Sequence, residues 1–413
     1  MASAAAPAGT LEFAAALAQQ YWINEFVFDA TDEELRLATR LRDTLNLAFE
    51  RGITVPPLAV AIAASYAPLH ELRGAASLLE ATQAPALEAL LTQQWREPAQ
   101  ERSVAEATRS LTGVADGVSL LVQQQYEENP YPRWVRAAPA PRPVKVADWL
   151  RQVHPTRPTG LFEKRDEVEV LIAGCGTGQH SIETAQRFTG AKVLAVDLSF
   201  ASLAYAQRKS LEAGLNHIDY AQGDILELSG KSLRFDIMES SGALHHLADP
   251  MQGWRVLAGL LRPGGLMRLG FYSEIGRCNI VAARAFIADR GYGLSAQDIR
   301  RCRQELLASH DPALLALRRI RDFYTLSDCR DLLFHVQEHR LTLPMIKAAL
   351  QKLDLDFLGF EMGEGVFAHF RDRFPEAKTL DDLDLWQVFE TENPDTFTAM
   401  YQFWTQKREA DRG

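Results

Sequence analysis

Three glycines, two acids and a histidine pair, spaced through the middle of this chain, are the residues whose pattern could do chemistry. Gly174, Gly176 and Gly178 follow directly on Val168-Glu-Val-Leu-Ile-Ala173, a short β-branched and aliphatic run, and His180 to Phe188 behind them has helical composition. Strand, glycine turn and helix open a nucleotide-binding βαβ unit, where glycine lets a ligand lie against main chain that any Cβ would block. A second apolar run ends in Asp197, about 20 residues past the loop, where a ribose hydroxyl pair needs a bidentate acceptor. Gln179 stands where a dinucleotide fingerprint has its third glycine, which argues against a nicotinamide dinucleotide. His245-His246 follows a later apolar run, at the edge where open α/β sheets bind ligands. An imidazole there could take a proton from a nucleophile, or the pair could simply shape a pocket.

Further segments arrive in order. Tyr220-Ala-Gln-Gly-Asp224-Ile225 closes a third strand, Phe235 to Pro250 is a fourth strand with its exit loop, and Leu261 to Gly270 is a turn and fifth strand. Over residues 168–272 the series resembles the class I S-adenosylmethionine-dependent methyltransferases. The resemblance implies an α/β fold with a Rossmann-like sheet, S-adenosyl-L-methionine as cofactor and S-adenosyl-L-homocysteine as product. It also implies a cofactor site drawn from Ala173, Gly174, Gly176, Gly178, Asp197, Leu198, Asp224, Ile225 and Ser240, with Asp224 against the adenine amino group. One departure is Ile172, where many relatives carry a strand-end acid. The chain is similar, too, to bacterial members with a helical N-terminal domain and a Tyr126-Glu-Glu-Asn-Pro-Tyr-Pro-Arg-Trp134 arm, some of them fused to tetratricopeptide repeats. For those relatives the acceptor is not assigned. Methyl transfer is therefore the implied reaction, and the acceptor, small molecule or protein side chain, at O, N or C, stays open.

The elements that must position these residues divide the chain into five parts. Residues 1–125 read as an all-helical domain, with Thr31-Asp-Glu-Glu34 a capping box and Pro56-Pro57 opening a further helix. Tyr21 to Phe28 is unusually aromatic, either a packed helix end or a pocket wall. Residues 126–165 hold the arm and a Pro-rich linker; two prolines within three residues keep the arm out of regular structure. It is either a connector or a lid. As a lid it would set Tyr131 over the methyl group as a catalytic residue beside His245 and His246. Arg133 would then reach the methionine carboxylate, and Tyr126, Asn129 and Trp134 would touch the acceptor. Residues 166–276 with 354–361 form the cofactor-binding α/β domain, 277–353 a helical insertion after the fifth strand, and 362–413 C-terminal helices, Phe397 to Trp404 among them. Two arginine clusters, 295–303 and 317–321, read as solvated helix faces or as an anion grip.

His335-Val-Gln-Glu-His339 matches a zinc-hydrolase pattern of two histidines one helical turn apart. No third ligand stands at a defined spacing, so no metal is expected, and His335 is assigned to the substrate side of the pocket. Cys175, between two glycines, reads as a small packing residue.

At 413 residues the chain suits two or three domains. A net charge of −10 argues against a nucleic-acid partner, since phosphate binding needs an excess of Lys and Arg. No apolar run approaches the length that spans a bilayer, and four scattered cysteines suit a reducing compartment, so a cytoplasmic location is expected. Oligomeric state is not legible. A non-catalytic cofactor-binding protein and, further off, a nicotinamide oxidoreductase are the competing readings.

Overall fold

The structure is a computed structural model, and it describes all residues except 1–6, 29, 81–83, 164, 378–379, 399 and 410–413. Its centre is a seven-stranded sheet: β1 (Val168–Ala173), β2 (Ala191–Asp197), β3 (Ile218–Gln222), β4 (Phe235–Ser241), β5 (Leu261–Phe271), β6 (Leu355–Phe360) and β7 (Tyr401–Lys407). The order is β3-β2-β1-β4-β5-β7-β6. The first five strands are parallel, and β7 runs antiparallel between β5 and β6.

Both faces of the sheet are covered, which is why the strands read as near-continuous apolar runs. Leu171, Met238, Leu269 and Phe403 point to one core, with Trp254, Ile346, Trp386 and Phe389. Val170, Ile172, Ile237 and Trp404 point to the other, with Leu150, Phe188 and Leu203. The N-terminal helices have their own core around Ala18, Val60, Leu69 and Leu90, and the insertion has another around Ile280, Cys302, Leu317 and Phe323.

Two expectations are corrected. Phe397 to Trp404 is not helical: Tyr401 to Lys407 is the strand β7, so the C-terminal part is not made of helices alone. Its residues alternate between the two buried faces, Tyr401 and Phe403 to one and Trp404 to the other. With both faces buried and polar residues on each, the period-2 signal vanishes from the sequence. Nor is the N-terminal part wholly helical. After the helix Glu97–Ala107 the chain extends and bridges β3 through Ser110 and Gln222, and Leu111 N–H donates to the Gln222 carbonyl at 2.7 Å. This rung places Thr112 Oγ1 to accept the Asp224 N–H at 2.8 Å.

The aromatic cluster under β6 and β7 anchors the antiparallel edge. Trp386 is fully buried, stacked 4.0 Å from Phe370 and edge-on to Phe360. Trp386→Ala should cost about 3–5 kcal/mol of unfolding free energy, read from the denaturant midpoint. A loss near zero would mean that this cluster does not hold the edge.

Candidate active site

The carboxyl ends of β1 to β5 converge on one cavity of about 510 Å³, the place where open parallel sheets bind ligands. After β1, Gly174 and Gly176 line it, with positive φ at both. Asp197 and Leu198 line it after β2, Asp224 and Ile225 after β3, Ser241 and His246 after β4, and Arg268 and Tyr272 from β5. Tyr131 enters from the arm, Tyr126 from the helix Gly117–Glu128, and Arg321 and Asp331 from the insertion. The arm's first three residues are thus helical, and only the rest lies outside regular structure.

The arm lies directly on the glycine loop. A Cβ on Gly176 would stand 2.7 Å from the Tyr131 carbonyl oxygen, so glycine is required there by the arm as well as by any ligand. Thr177 Oγ1 donates to the Pro132 carbonyl, and Trp134 Nε1 donates to the Thr177 carbonyl at 3.2 Å. Gly178 serves packing: its Cβ would come within 2.5 Å of Ala206 on the helix Phe200–Glu212.

Two acids offer acceptor atoms. Asp197 takes the Gly176 N–H on Oδ2 at 2.8 Å and the Ser199 N–H on Oδ1 at 3.0 Å, each oxygen keeping a second lone pair. Burial pushes its carboxyl up, against the pull of those two N–H groups. Asp224 Oδ1 accepts from Leu226 N–H at 2.9 Å, while Oδ2 is buried and has no partner among the described residues. A buried carboxylate oxygen left open at a cavity wall is the mark of a missing donor.

The opposite end is polar in a way the sequence reading missed. Glu239 of β4, fully buried, is held by His180 Nε2, by Thr184 Oγ1 at 3.0 Å and by Arg268 at 3.6 Å. Burial pushes its carboxyl up, but His180 and Arg268 outweigh this and hold it at about 2. Arg268, His180, Gln179, Glu183 and Gln402 line the cavity here. The available signals were Glu239 and Arg268, charges well inside the largely apolar strands β4 and β5.

A third wall joins arm, insertion and β4 exit loop. Tyr126 Oη donates to Asp331 Oδ1 at 2.6 Å and lies 3.1 Å from His335 Nε2. His335 Nδ1 accepts the Gln337 N–H at 3.1 Å, so in the neutral ring Nε2 carries the proton and donates to Tyr126. His246 Nδ1 donates to the Gln337 carbonyl at 2.7 Å, which leaves Nε2 as a lone pair without partner among the described residues. Burial lowers all three imidazoles: His246 to about 4, with His245 and His335 well below their ordinary value. Burial also raises the Tyr126 and Tyr131 phenols, with Asp331 adding to it, so neither is a base. His246, Asp331 and His335 bring ligand-type atoms within 4.8 Å of one another. However, the His246 and His335 rings are stacked, 3.5 Å apart and 16° from parallel. Their in-plane lone pairs therefore run side by side and do not converge as metal ligation requires, and the set fits hydrogen bonding.

Several expected residues stand elsewhere. Arg133 is turned away from the cavity: it lies 3.8 Å from Glu25 with its guanidinium 5.8 Å from the Trp22 ring centre, so it does not reach the methionine end. Trp134, besides clamping the loop, lines with Arg133 and Trp22 a second cavity toward the N-terminal helices. Asn129 accepts from Arg330 at 2.9 Å and ties the arm to the insertion. Ser240 points back, donating to the Ala173 carbonyl at 2.9 Å, and Ser241 lines the cavity in its place. His245 is fully buried, stacked 3.8 Å from Tyr272, and is not among the residues lining the cavity. His335 sits behind Tyr126, just past the helix Leu326–Phe334, so the two histidines of its pattern are not one helical turn apart. Glu338 pairs with Arg277 at 2.5 Å and not with His335. Of the arginine clusters, Arg300 and Arg303 bond to backbone carbonyls, and Arg321 reaches the cavity mouth.

Residues 170–265 match a family described as "Methyltransferase domain". The chain is 42% identical over 110 residues to a trans-aconitate 2-methyltransferase of Deinococcus radiodurans, covering 26% of this chain and 39% of that protein. It is 33% identical over 132 residues to a ubiquinone biosynthesis O-methyltransferase of Leptothrix cholodnii, covering 31% of this chain and 54% of that one. The chain thus spans roughly a third to a half of the curated relatives it matches. A solved structure, PKMT2 from Rickettsia typhi, is 16% identical with a TM-score of 0.47, over 66% of this chain and 53% of that one. The chain has a class I S-adenosylmethionine-dependent methyltransferase fold with an N-terminal helical region.

Asp331 makes the third wall testable by pH. Burial pushes its carboxyl up to about 7, partly offset by Tyr126 and Arg277, against about 3.9 in an unfolded chain. Between those values the unfolded chain releases the proton and the folded chain keeps it, so this group makes stability fall as pH rises from about 4 to 7, with no further change above. Asp331→Asn, whose amide oxygen still accepts from Tyr126, lacks that term. Its melting temperature relative to the parent should climb across this window and then level off. A difference independent of pH would contradict the placement.

Proposed function

We propose that this chain transfers the methyl group of S-adenosyl-L-methionine to an acceptor held between the α/β domain and the helical insertion. The observation that carries the reading is the unpartnered Asp224 Oδ2, buried at a cavity wall that also holds Asp197 and the glycine loop. Asp224 and Ile225 would take the adenine, Asp197 and Leu198 the ribose, and the corner of Gln179, His180, Glu183 and Arg268 the methionine end. That corner supplies the polar groups that Ile172, buried in the apolar core, does not.

Bound there, the cofactor supplies a methyl group already activated by its sulfonium. The chain's own part is then chiefly proximity and orientation. The arm covers the loop and excludes water. Tyr131, its hydroxyl 3.2 Å from Asp322 Oδ2, is held in place as a neutral wall. His246 offers Nε2 as a hydrogen-bond acceptor, its tautomer set by the Gln337 carbonyl.

No helix among the described residues is long and apolar enough to cross a membrane. The four cysteines are free and three of them are buried, which supports a cytoplasmic location as part of the same proposal.

Asp224→Asn keeps the acceptor for Leu226 N–H but presents a weaker, uncharged partner to the adenine amino group. Affinity for S-adenosylhomocysteine by calorimetry should fall at least about tenfold, with the unfolding midpoint unchanged. Unaltered affinity would sink the adenine assignment. Tighter binding of NADH than of S-adenosylhomocysteine would favour an oxidoreductase. Failure to transfer radiolabelled methyl into any size fraction of a host lysate would favour a binding protein.

A further inference from the structure

In the wall of the cavity made by the arm, the insertion and the β4 and β5 exits, three side-chain atoms stand open to a ligand. Asp331 Oδ2, Tyr272 Oη and His246 Nε2 each lack a hydrogen-bond partner among the described residues, and all three residues line the cavity. Only the tyrosine hydroxyl among them can also donate.

Charge separates the possible ligands further. Asp331 is 3% exposed and has no cation bonded to it. Arg277 is paired with Glu338 at 2.5 Å, and Arg321, at the cavity mouth, is largely exposed with its Nε 3.4 Å from Asp322. Burial pushes the Asp331 carboxyl up, Tyr126 and Arg277 offset part of this, and Asp322 and Asp328 add to it. A carboxylate buried without a counter-charge is costly, and a ligand cation would remove that cost where a neutral hydroxyl would not. The remaining walls suit such a group. Tyr126 and Tyr131 line the same space, and no protein cation lies over either ring among the described residues. Tyr272, by contrast, already carries the Arg277 guanidinium 3.7 Å from its ring centre and His245 stacked on it. Aromatic walls attract cations through the ring quadrupole.

We infer that the methyl acceptor is a basic nitrogen, a primary or secondary amine that enters as its ammonium form and is held by Asp331 between Tyr126 and Tyr131. The inference rests on the methyl-transfer reading and names the substrate class for it. The ammonium gives one proton to Asp331 Oδ2, a carboxyl that burial makes more basic than usual. The freed nitrogen pair then forms the new N–CH3 bond as the S–CH3 bond breaks with its pair left on sulfur. The cation charge passes from sulfonium to the methylated amine, and the balance needs no other reactant.

The test is a ligand-observed NMR titration of the full chain with benzylamine and with its neutral counterpart benzyl alcohol, each with and without S-adenosylhomocysteine. Benzylamine should bind at least about tenfold more tightly, the factor a charge-assisted hydrogen bond supplies. Asp331→Asn should abolish the preference and leave S-adenosylhomocysteine affinity unchanged, which also shows that the variant is folded. Tyr126→Phe, which keeps the Asp331 charge, should retain the preference. Equal binding of both probes, binding of neither at millimolar concentration, or an Asp331→Asn variant that still prefers the amine would overturn the inference. Loss of S-adenosylhomocysteine binding in the parent protein, with the amine preference intact, would instead strike the methyl-transfer reading.

Discussion

The site depends on one contact: the laying of residues 131–134 along the glycine loop. A loop with three glycines at positive φ has few side chains of its own to hold it, and the arm adds an indole and a carbonyl that bind Thr177. Thr177 is gripped twice, by the Pro132 carbonyl and by the Trp134 indole. Tyr205 and Lys209, from the helix behind the loop, bond to the Trp134 and Val135 carbonyls and hold the arm from the other side. Glu127 reaches that same helix by accepting the Phe200 and Ala201 N–H groups at 2.7 and 3.0 Å. The arm is therefore a clamp on the loop, with Tyr131 turned to the cavity and Arg133 away from it.

From the clamp outward, three segments distant in sequence meet in one buried polar set. Tyr126 comes from the helix before the arm, His246 from the β4 exit, and Asp331 and His335 from the insertion. Such sets are of high consequence in a low-dielectric interior: satisfied, they fix one arrangement, and with a member removed they leave another unpaired. The insertion is thereby locked to the sheet by chemistry that also lines the acceptor side of the cavity. The N-terminal region is tied down by contacts of its own: buried Arg208 pairs with Glu97 and Glu101, Glu25 accepts from Ser327 of the insertion, and the Ser110–Gln222 rung sets the Thr112 hydroxyl under Asp224.

Much of this was legible from residue patterns, for identifiable reasons. The strands β1 to β6 carry apolar runs closed by glycine, acid or turn residues, and these position Gly174, Asp197 and Asp224 at one sheet edge whatever surrounds them. What escaped had no local signature. β7 alternates between two buried faces, so its aromatic run mimics a buried helix. Ser240 and Ser241 differ only in strand parity, which a one-residue shift of register reverses. Arg133 and Arg268 are each a single arginine near the site in sequence or in space, and only tertiary packing decides between them. Arg133 turns to Glu25 and Trp22, while Arg268 is drawn inward by Glu239 and Glu361. His335 looked like half of a helical metal pair because the pattern cannot show that its helix ends at Phe334.

The clamp is tested most directly at Gly176, where a single methyl group meets the Tyr131 carbonyl and φ is +51°. Calorimetric titration of Gly176→Ala with S-adenosylhomocysteine, paired with hydrogen exchange across residues 126–134, separates the outcomes. If the arm and loop are one unit, affinity falls at least about tenfold, the order of effect expected from one strained close contact, and the arm's amides exchange faster. Unchanged affinity together with unchanged exchange in the arm would contradict the account.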